Sequence, residues 1–354
     1  MTLRCALVGT GFWASTALLP ALRALPDATV VGCVSATPAE AAAFARRHGI
    51  AAGFPDIDAL LAAGPLDLVV IATPDDVHPA ATEAALTAGV AVYCEKPLAN
   101  DAAVAGRLAD LADRAGVPAT VGYSFRYNPA VQALKADLRS GRLGQPWLIE
   151  LYEHNPQFHP ERGKAMNWKG DPAQARAGAL FEYGSHVVDL AGWLVGPIRR
   201  VSTSFARVLP GARLDDIATL QLQFDAPAIG ILVASWVLSG GFPGIRIRLH
   251  GSAGLGEVQI DEGLEGGQVY RRIPLGGVGG DAVPLEPMAD WRSDATCRHL
   301  ADLTGRIRGA PTAAPDMLPT LRQGAQVQAV LEATLAATER WARVEQEGQP
   351  EATS

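Results

Sequence analysis

The pattern of apolar and polar residues divides the chain of 354 residues into two parts. In the first part, short apolar runs of strand length alternate with stretches that have apolar residues at helical spacing. Strands are predicted at residues 3–8, 29–35, 66–73, 90–94 and 118–122, with helices at 15–25, 38–48, 78–88 and 101–115. This alternation predicts an α/β fold in which residues 1–122 form a Rossmann domain with a doubly wound parallel sheet.

The pattern changes after Gly122, where long runs of alternating apolar and polar residues dominate. Such alternation predicts strands with one buried and one polar face. They are predicted at 147–153, 201–208, 217–224, 230–238, 245–250 and 256–260, with helices at 129–140, 179–194 and 320–344. Residues 123–354 should therefore form a C-terminal α+β domain with a large, mostly antiparallel sheet. We expect the final helix to pack back towards the first domain.

Composition and charge limit the kinds of molecule that the protein can be expected to bind. Hydrophobic residues make up 48% and charged residues 19% of the chain, which is typical of a globular protein with a sizeable core. The net charge of −7 argues against nucleic acid or an anionic membrane as a partner. A strand begins too early to leave room for a signal peptide, and no apolar run has membrane-spanning length, so we expect a cytoplasmic protein. His154 and His159 lack completing ligands, so no metal site is expected.

The first predicted strand is followed by G-T-G-F-W-A at residues 9–14 and then by a helix. Strand, glycine turn and helix in this order are the context in which G-x-G-x-x-A binds a dinucleotide. Gly9 would permit the tight turn, Gly11 would let the backbone approach a pyrophosphate, and Ala14 would let the helix lie close to the strand. The helix N-terminus would supply N–H groups for the phosphates.

Two further segments carry candidate chemistry. Lys96 follows the fourth predicted strand, at the edge of the sheet where parallel sheets bind ligands. Glu182, His186 and Asp189 are spaced i, i+4 and i+7, so they share one face of a predicted helix. A carboxylate one turn from a histidine can orient the imidazole and raise its pKa. A solvated helix face is the alternative, but the long polar connection at 155–177 favours a binding site.

These segments together resemble the glucose–fructose oxidoreductase, inositol dehydrogenase and rhizopine-catabolism family, written Gfo/Idh/MocA. The resemblance covers nearly the whole chain, because five motifs occur in the family's order. They are the turn at 9–14, A-T-P at 72–74 followed by His78, E-K-P at 95–97, R-Y-N-P at 126–129 and G-S-H-V-V-D at 184–189. The resemblance implies that Lys96 and His186 are catalytic and that the Lys–Pro bond is often cis. The family's usual aspartate, four residues before the histidine, is replaced by Glu182, which reaches one methylene further.

The resemblance also implies which residues surround the ligands. At the cofactor we expect Gly9, Thr10, Gly11, Phe12, Trp13, Ser35, Ala36, Thr37, Thr73, Pro74, His78, Glu95 and Lys96. At the substrate we expect Lys96, Arg126, Asn128, Asn155, Trp168, His186 and Asp189. Lys164, Lys169 and other basic residues of the loop at 155–177 hint at an anionic group on the substrate.

The activity implied is that of an NAD(P)-dependent oxidoreductase acting on a sugar, a sugar derivative or a cyclic polyol. A hydride would pass between the nicotinamide and a secondary hydroxyl or ketone. His186 would take the hydroxyl proton with a pKa near ~6.5, and Lys96 would polarise the oxygen. Two alternatives remain open. One is a glycosidase of the same family that oxidises its sugar transiently, and the other is a non-catalytic sensor of cofactor and sugar, which the presence of Lys96 and His186 disfavours.

Cofactor preference and assembly complete the expectations. The segment after the second predicted strand has no carboxylate to repel a 2′-phosphate, whereas Ser35 and Thr37 can donate hydrogen bonds to one. NADP is therefore predicted over NAD, with use of both left open because no arginine follows Ser35. The large sheet has few helices to cover its two faces. A homodimer or homotetramer joined through this sheet is expected.

Overall fold

A computed structural model describes residues 2–164, 166, 168–172, 176–238, 244–261, 264, 267–277, 279–288, 290–311 and 314–337. The first sheet has the order β3-β2-β1-β4-β5-β6, and all its pairs are parallel. Its strands are β1 (Leu3–Val8), β2 (Ala28–Val34), β3 (Ala52–Phe54), β4 (Leu68–Ile71), β5 (Ala91–Cys94) and β6 (Ala119–Val121). The predicted doubly wound parallel sheet is confirmed.

Helices connect these strands. After the glycine turn, a π-helical turn at Ala14–Leu18 continues as α1 (Leu19–Ala24). The others are α2 (Pro38–His48), α3 (Ile57–Ala62), α4 (His78–Thr87) and α5 (Ala102–Ala115). Side chains of Thr37, Asp56 and Asp101 accept hydrogen bonds from first-turn N–H groups, which fixes where α2, α3 and α5 begin. The sequence analysis missed β3 and α3. A strand of three residues has no apolar run to detect, and a helix of six residues is too short to show a clear helical spacing.

The second sheet has eight strands in the order β14-β13-β12-β11-β7-β10-β9-β8. Only β7 and β10 pair in parallel among the described strands, so the prediction of a mostly antiparallel sheet is confirmed. The strands are β7 (Pro146–His154), β8 (Ile198–Ala206), β9 (Ile217–Phe224), β10 (Ile229–Ser235), β11 (Gly244–Gly251), β12 (Gly254–Asp261), β13 (Gln268–Pro274) and β14 (Asp281–Ala282). The last two strands were not predicted.

Four longer helices follow β6 along the chain: α6 (Pro129–Arg139), α7 (Ser185–Val195), α8 (Trp291–Ile307) and α9 (Leu321–Ala336). Helices α6, α7 and α9 pack on one face of the sheet, where alternate side chains such as Leu151, Leu232 and Ile247 are fully buried. Helix α8 was not predicted. The predicted end of the last helix at residue 344 lies outside the described residues.

The last two helices pack against the first domain. Thr120 of β6 bridges to Thr320, and the Val121 N–H donates to the Pro319 carbonyl at 2.9 Å. On α9, Arg322 donates to Asp110 and Asp113 of α5, both at 2.6 Å. The final segment therefore spans both sheets and holds the carboxyl end of β6 close to the second domain. None of the helices in the described ranges is both long and apolar enough to cross a bilayer.

The two glycines of the first turn have different reasons to be glycine. Gly9 has φ +103° and a Cβ there would lie 2.3 Å from the Ala72 carbonyl oxygen, whereas a Cβ on Gly11 would meet no protein atom within 4 Å. Of these two positions, the fold thus requires glycine only at residue 9.

We predict that Gly9→Ala lowers the free energy of unfolding by more than about 2 kcal/mol, because the new methyl group meets backbone and φ is unfavourable. Gly11→Ala should change it by less than about 1 kcal/mol. Urea denaturation of both variants measures the difference. Equal stabilities for the two variants would contradict this account of the turn.

Candidate active site

The glycine turn after β1 and the segment after β5 are joined by the carboxylate of Glu95. The Trp13 indole N–H donates to Glu95 Oε1 at 2.9 Å, and the Tyr93 hydroxyl donates to the same oxygen at 3.0 Å. The Lys96 N–H donates to Oε2 at 3.2 Å. Burial raises the pKa of Glu95, with the charge of Lys96 and the donated hydrogen bonds opposing it. Glu95 therefore ties the turn to the segment that carries Lys96.

His78 contacts the same segment through its imidazole ring. Its Nδ1 lies 2.8 Å from the Pro97 carbonyl oxygen and its Nε2 lies 3.0 Å from that of Thr73. Both partners are acceptors, so both ring nitrogens must donate and the imidazole is cationic. Burial, which opposes the charge, is outweighed mainly by Cys94, Asp75 and the Pro97 carbonyl, and the pKa rises to about 10. The Lys96–Pro97 peptide bond is cis, as the resemblance implies.

Lys96 reaches across to the helix that carries the other candidate catalytic groups. Its Nζ donates to the Glu182 carbonyl oxygen at 3.0 Å and lies 3.6 Å from Glu182 Oε2. Lys169, from the loop before that helix, lies 2.6 Å from Glu182 Oε1. One carboxylate thus bridges two ammonium groups, and these three charges come from three separate segments of the chain.

The charges shift the pKa values in opposite directions. Burial disfavours the ammonium of Lys96, but the carboxylates of Glu182, Asp75 and Glu95 outweigh it and raise its pKa. Burial likewise disfavours the Glu182 carboxylate, yet Lys96 and Lys169 lower its pKa to about 2. At neutral pH the site therefore holds an ionised carboxylate between two cations.

His186 lies one helical turn beyond Glu182. Its ring packs edge-on against Phe125, with centroids 4.7 Å apart, and against Tyr123 at 6.1 Å. Its Nδ1 is buried and has no hydrogen-bond partner among the described residues. Burial and the charges of Lys96 and Lys169 lower its pKa well below the ordinary value, and Glu182 opposes this only in part. The sequence analysis, which expected a pKa near ~6.5, did not anticipate that the charge of Lys169 would act on His186.

The helix that carries the candidate catalytic groups begins with a π-helical turn at Leu180–Gly184, a feature frequent at functional sites. Asp215 holds its start, because one carboxylate oxygen accepts from the Gly178 N–H at 2.7 Å and the other from the Leu180 N–H at 2.8 Å. Asp215 is buried and belongs to none of the sequence motifs described above. Sequence reasoning missed it, because its effect depends on a contact across more than 30 positions in the chain.

Three residues predicted to contact substrate have side chains that are hydrogen-bonded within the protein. Arg126 donates through Nε to Asp189 at 2.9 Å and through Nη1 to Gln323 at 2.9 Å. The Arg126 and Asp189 side chains are only 2% and 1% exposed. Asn128 is fully buried and its Oδ1 accepts from the first N–H groups of α6. These hydrogen bonds fix the three side chains to the elements that surround the site.

Two further predicted substrate residues, Asn155 and Trp168, belong to the loop at 155–177. Asn155 follows β7, and its N–H donates to the Ser235 carbonyl at 2.9 Å. The backbone of Trp168 belongs to a short 3₁₀ turn, Trp168–Gly170, but its side chain lies outside the described residues. The same turn brings Lys169 to Glu182, so the loop does contribute a charged group to the site.

The predicted cofactor residues line the carboxyl ends of β1, β2 and β4. Gly11 is exposed, with open space where a Cβ would stand, so its small size leaves room for a ligand to approach the backbone. The Thr73 hydroxyl is buried without a hydrogen-bond partner among the described residues. At the end of β2, Ser35 lies 2.6 Å from the Thr10 hydroxyl, and Thr37 caps α2. A crevice of this kind fits a dinucleotide.

No metal-ligating cluster accompanies the site. Over the described part of the chain, no three histidine, cysteine or carboxylate side chains gather as metal ligands would. The geometry instead brings an ammonium group, a carboxylate and an imidazole together near the carboxyl edge of the first sheet.

Comparison with known proteins agrees with this arrangement. Residues 3–123 match the family described as oxidoreductases with an NAD-binding Rossmann fold, and residues 131–256 match the Gfo/Idh/MocA C-terminal domain. D-apiose dehydrogenase of Paraburkholderia graminis is 31% identical over 73% of this chain and 68% of its own length. Inositol 2-dehydrogenase of Rhizobium meliloti is 28% identical over 78% and 82%.

Solved structures show the same fold. Levoglucosan dehydrogenase in complex with NADH has a TM-score of 0.82 at 21% identity, covering 95% of this chain and 96% of its own. An NAD-binding oxidoreductase from Klebsiella pneumoniae has a TM-score of 0.82 at 23% identity, covering 95% and 97%. On the matches to both of its domains and to D-apiose dehydrogenase, the chain belongs to the Gfo/Idh/MocA family of oxidoreductases.

Proposed function

We propose that the protein is an NAD(P)-dependent dehydrogenase that acts on a secondary hydroxyl of a sugar, a sugar derivative or a cyclic polyol. The observation that carries the proposal is the meeting of Lys96 with the helix of Glu182 and His186 at the carboxyl edge of the Rossmann sheet. The relatives named above as dehydrogenases of apiose and inositol support the substrate class.

The residues of the site divide the chemistry between them. A nicotinamide cofactor held by the glycine turn after β1 would supply the acceptor for the hydride of the carbinol carbon. His186 accepts the hydroxyl proton, because its lowered pKa keeps the imidazole neutral at physiological pH. Lys96 stays charged and donates a hydrogen bond to the oxygen on which negative charge develops.

Glu182 and Lys169 set the charge of the pocket. The carboxylate of Glu182 forms an ion pair with Lys96 at 3.6 Å through Oε2. Its other oxygen, Oε1, forms an ion pair with Lys169. Lys169 was one of the basic loop residues that hinted at an anionic substrate, whereas Lys96 was not part of that pattern. Since Glu182 offsets one of their two charges, the site is compatible with a neutral sugar or polyol.

The sequence-based preference for NADP loses its main support in the folded chain. It assumed that no carboxylate stands at the end of β2, but Glu40 reaches back from α2 to within 3.2 Å of the Ser35 hydroxyl. The sequence analysis overlooked Glu40 because it lies in the first turn of the helix rather than at the end of the strand.

We also propose a dimer or tetramer joined through the second sheet. The side chains that face away from α6, α7 and α9 remain partly exposed, among them Ile229 and Ile231 of β10 at 46% and 39%. Glu150 on the same face binds Arg248 and His250 at 3.3 and 3.0 Å. An apolar strip flanked by ion pairs is a surface suited to a second copy of the chain.

The activity is tested with a panel of sugars, inositols and sugar acids, following cofactor reduction. We predict that His186→Ala slows kcat by about 10²–10⁴-fold on the substrate found, the usual effect of losing a general base. The Kd for the cofactor should barely change, because the glycine turn holds it. His48→Ala, at the end of α2, is the matched control and should leave kcat unchanged.

Two outcomes would overturn this assignment. Turnover of His186→Ala within about threefold of the wild type would remove the residue from the role of base. Release of free sugar from a glycoside without added cofactor would identify the glycosidase alternative.

The pH dependence of kcat/KM tests the role of Glu182. Its carboxylate raises the pKa of both His186 and Lys96, so Glu182→Gln should lower both values. The acid limb, where His186 gains a proton, should move to lower pH, and the alkaline limb, where Lys96 loses one, should move to lower pH as well. Glu182→Asp keeps the charge and should shift both limbs less. Unmoved limbs in Glu182→Gln would show that the carboxylate does not act on either group.

The assembly is measured by light scattering at micromolar concentration. We expect a mass of at least two chains for the wild type and a smaller mass for Ile231→Lys, which places a charge in the apolar strip. Leu335→Lys, on α9 away from the sheet face, should keep the wild-type mass. A wild-type monomer would contradict the proposal.

A further inference from the structure

Three polar side chains form a hydrogen-bonded row at the carboxyl end of β2. The hydroxyls of Thr10 and Ser35 lie 2.6 Å apart, and Ser35 Oγ lies 3.2 Å from Glu40 Oε2. An ionised carboxylate can only accept, so Ser35 donates its single hydrogen to Glu40, and Thr10 must donate to Ser35. The row therefore runs from the glycine turn to a carboxylate.

The start of α2 directs Glu40 towards the crevice. Thr37 is the N-cap, and its side chain accepts from the Glu40 N–H at 3.2 Å, which places Glu40 at the third position of the helix. A side chain at this position commonly folds back over the N-terminus. Here it folds back to Ser35, so the carboxylate stands beside the residue that follows β2, and it remains exposed to solvent.

In dinucleotide-binding sheets, an acidic side chain at the end of the second strand binds the ribose hydroxyls of NAD. We propose that Glu40 fills this role from the helix and that the protein binds NAD in preference to NADP. The proposal rests on the nucleotide site alone and does not depend on which substrate is oxidised.

The charges around Glu40 favour this choice. A 2′-phosphate carries a charge of about −1.5 to −2 at neutral pH and would stand next to the carboxylate. Arg46 and Arg47 lie in the last turn of α2, about 12 Å along the helix axis from its start, too far to neutralise the phosphate. The Glu40 carboxylate also offsets the positive end of the helix, which would otherwise attract an anion.

Isothermal titration calorimetry without substrate tests the proposal. The ligands are NAD⁺, NADP⁺, and the fragments 5′-AMP and adenosine 2′,5′-bisphosphate, which differ by the 2′-phosphate. We expect the wild type to bind NAD⁺ at least about tenfold more tightly than NADP⁺, a difference of about 1.4 kcal/mol. Glu40→Gln should reduce that ratio by about tenfold, mainly by tightening NADP⁺ binding, and the fragments should follow the same order.

Glu83→Gln removes an exposed carboxylate from α4 and is the matched control, so it should keep the wild-type ratio. Added salt should shrink the wild-type ratio, because it screens an exposed charge. The proposal is overturned if the wild type binds NADP⁺ as tightly as NAD⁺. It is also overturned if Glu40→Gln, with an unchanged melting temperature, keeps the wild-type ratio. Lack of sugar oxidation would bear on the proposed function only, since these titrations contain no substrate.

Discussion

The position of one carboxylate between two ammonium groups is the interaction on which the candidate site depends. Glu182 lies 2.6 Å from Lys169 and 3.6 Å from Lys96, in a pocket where partial burial strengthens every charge interaction. Without it, two cations would repel each other beside His186. With it, Lys96 stays charged, and the remaining positive charge combines with burial to keep the imidazole neutral. One carboxylate thus acts on both the ammonium group of Lys96 and the imidazole of His186.

The rest of the structure holds these groups from both sides. Glu95 binds Trp13 of the glycine turn and so fixes the segment that carries Lys96 to the nucleotide crevice. Asp215 binds the first N–H groups of the catalytic helix and so fixes Glu182 to the second sheet. Since each catalytic group is anchored in a different half of the chain, their mutual geometry depends on how the halves pack. Small errors in such geometry slow reactions strongly.

Much of this arrangement follows from local sequence, and the rest depends on long-range contacts. Periodicity predicted the long strands, because their side chains alternate between the core and the solvent. The G-x-G-x-x-A motif predicted the glycine turn. It missed β13, where Arg271 and Arg272 interrupt the alternation. Nor could spacing show that Arg126 would pair with Asp189, 63 positions away. The reach of Glu40 depends on a side-chain conformation that no local pattern encodes.

The central claim is that the surrounding charges and burial keep His186 neutral so that it can accept a proton. Its imidazole resonances, assigned by comparison with His186→Gln, can be followed by NMR through a pH titration of the intact protein. The account predicts a pKa well below the ordinary value of about 6.5, and a rise towards that value in Lys96→Met, which removes one cation. A wild-type His186 that titrates at or above its ordinary pKa would contradict it.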